Sequence, residues 1–272
     1  MYKLLCIFGR KLCGRLVLHG STENRMRATF RNYLQRNGYD RFDIKAVLFD
    51  MDGVLYDSMP EHVRSWQQTM EEFGFKSTRP RDFYLHEGRT GNSTINLMMQ
   101  REFGRDATQE EVRRIYARKA ELFARYHTGR VMTGAREVLE WVRSNGLTPV
   151  LVTGSGQPSL LERLNDRFPG IFTPDTMVTA FDVKNGKPHP EPFLMGLKKG
   201  GNLQPNQALV VENAPLGTEA AHRAKIFTIT VNTGPLKDTI LKEAGADVIL
   251  PSMPALYDRL PDFLQMVRTL QR

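Results

Sequence analysis

Cysteine, long apolar runs and a surplus of acid are what this 272-residue chain has least of. Only Cys6 and Cys13 occur, both near the N-terminus and in no CxxC spacing. That excludes a disulfide framework and a cysteine-built metal site, and it makes a reducing cytoplasm the expected compartment. No stretch approaches the roughly 20 apolar residues of a membrane-crossing helix, so no membrane role is expected. The run Leu4–Phe8 is shorter than a signal-peptide core and Arg10 and Lys11 soon follow it, which argues against secretion. Internal repeats and low-complexity tracts are absent too. What remains, 40% hydrophobic and 25% charged residues, suits one large domain or two smaller ones.

The formal charge of +8 suggests nucleic acid until it is mapped along the chain. Residues 1–45 hold ten Lys or Arg against Glu23, Asp40 and Asp43, a net of +7, so the other 227 residues sum to +1. A basic face for tracking phosphates is therefore missing from the body, and no nucleic-acid partner is expected. The first 44 residues read as a basic leader, with Met26 a candidate start. Within it a short helix over Ala28–Leu34, closed by Gly38, reads as an appendage to the body.

The body opens on Ala46–Ser58, AVLFDMDGVLYDS, where an apolar run delivers Asp50 and Asp52 one residue apart, then Gly53. Taken alone, such a pair can form a turn with the glycine, hold a cation or attack a substrate. Short Val-, Ile- and Leu-rich runs predict strands at Ala46–Phe49, Thr148–Val152, Met177–Ala180, Ala208–Val211, Ile226–Val231 and Asp247–Leu250. Helical patterns lie between most of them, at Ala135–Ser144, Pro158–Phe168, Glu191–Lys199, Pro215–Ala224 and Lys237–Ala244. Apolar strands alternating with helices imply an α/β fold whose parallel sheet is covered on both faces, a three-layer α/β/α sandwich of Rossmann-like type.

The alternation breaks between Pro60 and Val131, where Glu61–Phe73, Ser93–Phe103 and Gln109–Tyr126 carry helical periodicity and no strand appears. This block, residues 60–130, reads as a small helical domain inserted into a core of residues 45–59 and 131–272. It starts eight residues after Asp52, above the strand ends where open α/β sheets bind ligands, and there it would act as a lid. Trp66, Met70 and Phe73 are its expected packing.

The other strand ends complete the chemistry. LVTGSG places Thr153, Gly154 and Ser155 after the second strand, GKPHPEP places Lys187 after the third, and VVENAPLG places Glu212 and Asn213 after the fourth. The set suits phosphoryl transfer. Asp50 supplies a carboxylate nucleophile and Asp52 an acid/base. Thr153 and nearby N–H groups grip phosphoryl oxygens while Lys187 neutralises charge. A hard cation, Mg2+, finds oxygen ligands in Asp50, the Asp52 carbonyl and the Glu212-Asn213 pair. Plainer readings exist for each: Thr153-Gly154 as a strand-to-helix turn, Lys187 as a loop lysine, Glu212 and Asn213 as helix caps, His62 as a packing histidine, and Asp57 with Ser58 as an N-cap or hinge.

The ordered motifs DMDGV, TGS, GKPHPEP and VVENAPLG resemble those of the haloacid dehalogenase superfamily over about residues 45–250, with the helical insertion matching its cap. The resemblance implies Asp50 as nucleophile, Asp52 as acid/base, Thr153 and Lys187 as phosphoryl partners and the fourth motif as metal site. An acid two residues after the nucleophile favours the phosphatase and phosphomutase branches. DGVLYDSMPEHVRSW is similar to the β-phosphoglucomutase-like group, which implies that His62 contacts the acid/base and that cap residues Arg89 and Lys119 contact substrate. Two departures favour hydrolysis: the arginine of Glu87–Gly91 is displaced, and Gly156-Gln157 stand where mutases carry Lys-Asn to grip a second phosphate. A third departure is Asn213, which replaces the usual aspartate and removes a negative charge from the expected metal site. The expected function is an Mg2+-dependent phosphatase acting on a small phosphorylated metabolite, a sugar phosphate, through an aspartyl-phosphate. A β-phosphoglucomutase is the near alternative and a weakly catalytic binding or regulatory protein the distant one. Oligomeric state is not readable.

Overall fold

Strand β1 (Ala46–Phe49) is buried along its whole length, as are β4 (Ala208–Glu212) and β5 (Phe227–Val231). With β2 (Thr148–Val152), β3 (Met177–Val178) and β6 (Val248–Leu250) they form a parallel sheet of order β3-β2-β1-β4-β5-β6. The computed structural model describes residues 23–156 and 160–270, so both cysteines, the basic residues before 23 and Gln157 lie outside the described residues. Among the described residues no helix is long and apolar enough to cross a membrane.

Period-two alternation divides the strands between two cores. Val47, Phe49, Leu151, Leu209, Val211, Phe227 and Ile229 face one side, against α6 (Ala135–Ser144) and α11 (Met253–Leu270). Ala46, Leu48, Val150, Val152, Ala208 and Val210 face the other, against α8 (Glu191–Lys199) and α9 (Pro215–Arg223). Helices α7 (Leu160–Arg167) and α10 (Asp238–Glu243) complete the three layers.

The first helix, α1 (residues 23–37), corrects the expectation of an appendage. Phe30 and Tyr33 are fully buried, Phe30 stacking 4.7 Å from Phe227 and meeting Phe42 and Phe263 edge-on. The Tyr33 hydroxyl donates to the Lys225 carbonyl at 2.8 Å. The helix thus covers β5. Its aromatic anchors looked like ordinary helix residues because the strand they cover lies almost two hundred positions away.

Between β1 and α6 come α2 (Met59–Glu72), α3 (Pro80–Leu85), α4 (Gly91–Phe103) and α5 (Gln109–Tyr126). They share a hydrophobic cluster of their own, with Val63, Trp66, Met70, Phe83, Ile95, Met98 and Ile115 buried in it and Phe73 packed at its edge. Helix α5 starts at a capping box: Thr108 accepts from the Glu111 N–H at 3.2 Å, and the Thr108 N–H donates back to Glu111 at 2.8 Å. Helix α3 escaped the sequence reading because six residues show no periodicity. Helix α11 escaped it because Pro261 interrupts the pattern, although Leu256, Leu260 and Phe263 still line one buried face. The two connections to this helical block run side by side: the Asp57 N–H donates to the Arg130 carbonyl at 2.9 Å, and the side chains pair at 2.6 Å. Asp57 therefore ties the two connecting segments together. Ser58 occupies the N-cap of α2 without capping it, since its hydroxyl is used elsewhere.

Candidate active site

In this strand order the connections turn in opposite directions on either side of β1 and β4, so a crevice opens at their C-terminal ends. Asp50 stands immediately beyond β1, its N–H donating to the Val211 carbonyl at 3.0 Å. Thr153 stands just past β2, Glu212 ends β4, and Lys187 reaches in from the loop before α8.

The Lys187 ammonium donates to Asp50 Oδ1 at 2.5 Å, Glu212 Oε1 at 2.6 Å and the Val152 carbonyl at 3.1 Å. All three of its protons are used. Burial opposes its charge, but Asp50 and Glu212 outweigh burial and hold it above the ordinary lysine range. Burial likewise pushes the Asp50 carboxyl up to about 8, with Lys187 opposing and Glu212 and Asp52 reinforcing that shift. Two buried carboxylates share one ammonium, which leaves the cluster short of positive charge. Glu212 Oε2 accepts from the N–H groups of Asn213 at 2.8 Å and Ala214 at 3.0 Å. Both oxygens of Glu212 are engaged, so it anchors Lys187 and the loop.

Asp52 is held from the other side. Its Oδ1 accepts from the Ser58 hydroxyl at 2.5 Å and lies 3.2 Å from His62 Nε2, while His62 Nδ1 sits 2.9 Å from the Lys119 ammonium. Lysine can only donate, so Nδ1 accepts and the imidazole proton lies on Nε2, facing Asp52. Burial and then Lys119 lower the His62 pKa, which keeps the ring neutral. Burial raises Asp52, but His62, Ser58 and Lys119 together outweigh it and hold the carboxyl well below the usual range. Burial brings Lys119 down to about 8. The His62 ring stacks on Phe123 at 4.0 Å, which fixes its plane.

Gly53 follows with φ of 85°, and a Cβ there would fall 2.0 Å from Asn213 Nδ2. Only glycine permits both the turn and this approach. Asn213 Nδ2 donates to Glu87 at 3.2 Å, and Asn213 Oδ1 is buried with no hydrogen-bond partner. Burial first, then Asp50, Glu212 and Asp52, push the Glu87 carboxyl well above the ordinary range.

One cavity between core and helical block brings together Asp50, Asp52, His62, Arg89, Lys119, Thr153, Gly154 and Ser155. The Thr153 hydroxyl accepts from the Ser155 N–H at 3.1 Å. Arg89 donates to Ser93 at 3.0 Å and keeps its buried Nε unpaired. Lys187, Glu212 and Asn213 are joined to Asp50 and Glu87 by the bonds described above. Sequence reasoning missed Glu87, Ser58 and Tyr116, the last of which also lines this cavity; Glu87 stood in a loop already singled out for its arginine, and only its contact with Asn213 marks it.

The donors suit a hard divalent cation: all are oxygens, the cluster is short of positive charge, and Asn213 Oδ1 is an acceptor without a partner. Among the described residues no three His, Cys, Asp or Glu groups are gathered to hold a metal by themselves. A site here therefore depends on the Asn213 amide and main-chain oxygen.

The family described as haloacid dehalogenase-like hydrolase matches residues 47–231. A Thermotoga maritima "Phosphorylated carbohydrates phosphatase" is 33% identical over 207 residues, 75% of this chain and 92% of that one. Hexitol phosphatase A of Escherichia coli is 30% identical, over 77% of this chain and 91% of its own. Among solved structures, a Bacteroides vulgatus protein provisionally named as a beta-phosphoglucomutase is 52% identical, with a TM-score of 0.85, over 91% of this chain and 98% of that one.

Proposed function

We propose, from the premise that the chain belongs to the haloacid dehalogenase-like hydrolases, that it releases phosphate from a small phosphorylated sugar through an aspartyl-phosphate on Asp50. The observation that carries this reading is the pair of aspartates held in opposite environments: Asp50 clamped by a core lysine, Asp52 by the Ser58 hydroxyl at the entry to the inserted helices and by a histidine within them. Asp50 attacks phosphorus, and the leaving oxygen takes its proton from Asp52. Anionic phosphoryl oxygens arriving beside Asp52 raise its proton affinity and so allow it to carry that proton. In the second half Asp52, ionised again, deprotonates water, which attacks the aspartyl-phosphate and frees Asp50. Lys187 balances the charge on Asp50 throughout, while Thr153 and the unpaired Arg89 Nε face the phosphoryl and sugar ends of the cavity.

Asp50, the Asp52 carbonyl and Asn213 would hold Mg2+, which when bound supplies charge neutralisation at the phosphoryl oxygens. Glu212 has a positioning role toward Lys187. Residues 60–130 serve as a cap that excludes water, and the cytoplasm is the proposed compartment. A panel of sugar phosphates assayed for free phosphate across an Mg2+ titration tests the reading. Metal-dependent release from at least one substrate supports it; equal release by wild type and Asp50→Asn would sink it.

A second reading, β-phosphoglucomutase, is favoured by the similarity to the Bacteroides vulgatus structure and by the Asp52–His62–Lys119 chain, which suits repeated proton exchange. Supplying β-glucose 1-phosphate with a trace of the 1,6-bisphosphate separates the two. Glucose 6-phosphate without free phosphate indicates the mutase, and free phosphate indicates hydrolysis.

A further inference from the structure

We infer that Glu87, on the cap loop between α3 and α4, is a positioning residue for the cation site, so that metal binding and cap closure are one coupled event. The inference rests on the metal-dependent reading above and adds to it a residue of the cap. The position after Glu212 is an amide, neutral and able to turn either face outward. The Asn213 Nδ2 group points at the Glu87 carboxylate, 3.2 and 3.4 Å from its two oxygens, and this contact decides the orientation. With nitrogen committed to Glu87, Oδ1 is the free end, and it is buried without a partner in a side chain only 8% exposed. A lone buried acceptor on the loop that follows Glu212, packed against Gly53, is what a cation requires of this residue.

Charge points the same way. An amide ligand lacks the negative charge that a carboxylate brings. The Glu87 carboxyl stands at hydrogen-bond distance on a different part of the chain, where it can supply one once a cation offsets the acids that now push it toward its neutral form. Outer-shell acids of this kind orient ligands and strengthen them. The acid that completes the site is therefore carried by the part that moves.

The cap loop is seated closely enough to do this. Gly88 packs so tightly on the Lys187 side chain that a Cβ would lie 3.0 Å from its Cδ. On the core side, Gly186 approaches the Thr90 methyl group to 3.1 Å by the same measure. In this seating Glu87 reaches Asn213. By linkage, whatever free energy closure adds to metal binding, metal binding returns to closure.

The test uses Mg2+ alone as the probe, with calorimetric titration and amide hydrogen exchange of the full chain. Glu87→Gln keeps the shape and removes the charge; it is expected to weaken the Mg2+ Kd by roughly tenfold or more, in the range seen for outer-shell partners. Mg2+ should slow exchange across residues 84–93 in wild type and much less in the variant. Adding Asn213→Asp to Glu87→Gln moves the charge back to the core, and it should recover most of the affinity while leaving the cap uncoupled. Glu87→Gln binding Mg2+ within twofold of wild type, with unchanged exchange protection, overturns the inference alone. A wild type that takes up no Mg2+ overturns the metal-dependent reading, and this one with it. Failure of the double variant to regain affinity, with both proteins folded by circular dichroism, also counts against it.

Discussion

Asp50 and Asp52 lie one residue apart, yet they answer to different halves of the molecule. Asp50 is tied to Lys187, which is anchored by Glu212 and a strand carbonyl, all belonging to the sheet and its loops. Asp52 is tied to Ser58, His62 and, through it, Lys119, all beyond the hinge. In the core half the polar atoms of Lys187 and Glu212 are all paired, and Asn213 Oδ1 is the buried acceptor left over. In the cap half Arg89 Nε and His86 Nδ1 are buried without partners. The core half fixes Lys187 against Asp50, whereas the helical half sets the contacts of Asp52 and leaves buried polar atoms unpaired.

The largest expected effect breaks the core half. Asp50→Asn keeps the side chain's size and removes the proposed nucleophile, and turnover should fall by about four orders of magnitude or more, as removal of a covalent nucleophile does. Comparable folding by circular dichroism with turnover within tenfold of wild type would refute the division of labour.

Breaking the cap half should cost less. Lys119→Met removes the charge behind His62 and should lower kcat by roughly 10²–10³, the scale of acid/base catalysis, with Asp50 chemistry intact. The pH profile sharpens this. Lys119 is brought down to about 8, so activity that needs its charge should fall as pH rises through that value. Lys119→Arg, which stays protonated, should move that alkaline limb upward. Stability should respond with the opposite sign. Between about 8 and the ordinary 10.5 the folded state binds fewer protons than the unfolded, so stability rises with pH across that window. Urea titrations at the two ends would check the direction.

A stability effect separates the core half from the cap half in another way. Phe30→Ala empties a fully buried aromatic site between α1 and β5 and should cost about 3–5 kcal/mol, read as a lowered urea midpoint. The KM of the surviving folded fraction should not change, because no cap residue touches that site. The smallest effect is expected at the hinge: Arg130→Ala breaks an exposed pair with Asp57, worth at most about 1 kcal/mol by thermal melting. A loss above about 2 kcal/mol would show that the hinge pair carries more than a surface ion pair.

The β-strands and most helices of the core were legible because a parallel sheet buried on both faces demands unbroken apolar runs, and those survive in a single sequence. Asp50, Thr153 and Glu212 were legible for a related reason, since each sits at the end of such a run, and Lys187 through its place in the GKPHPEP loop. The cap yielded less. Helix α3 is too short to show a period, and the loop carrying Glu87 has no apolar pattern to fix its depth. Helix α1 was visible as a helix but misread as peripheral, because nothing near Phe30 and Tyr33 in the chain names Phe227 as their partner.

By itself, then, the sequence determined the α/β layering, the family resemblance and the row of polar residues along one sheet edge, since each depends on local periodicity and on residues following a strand. Tertiary structure alone decided which acid is paired with which base, that both oxygens of Glu212 are spoken for, that α1 belongs to the core, and that Glu87 meets Asn213. Those outcomes depend on the distance between side chains separated by as many as 197 positions, and on burial, which sets whether a carboxylate is held charged or pushed toward its neutral form.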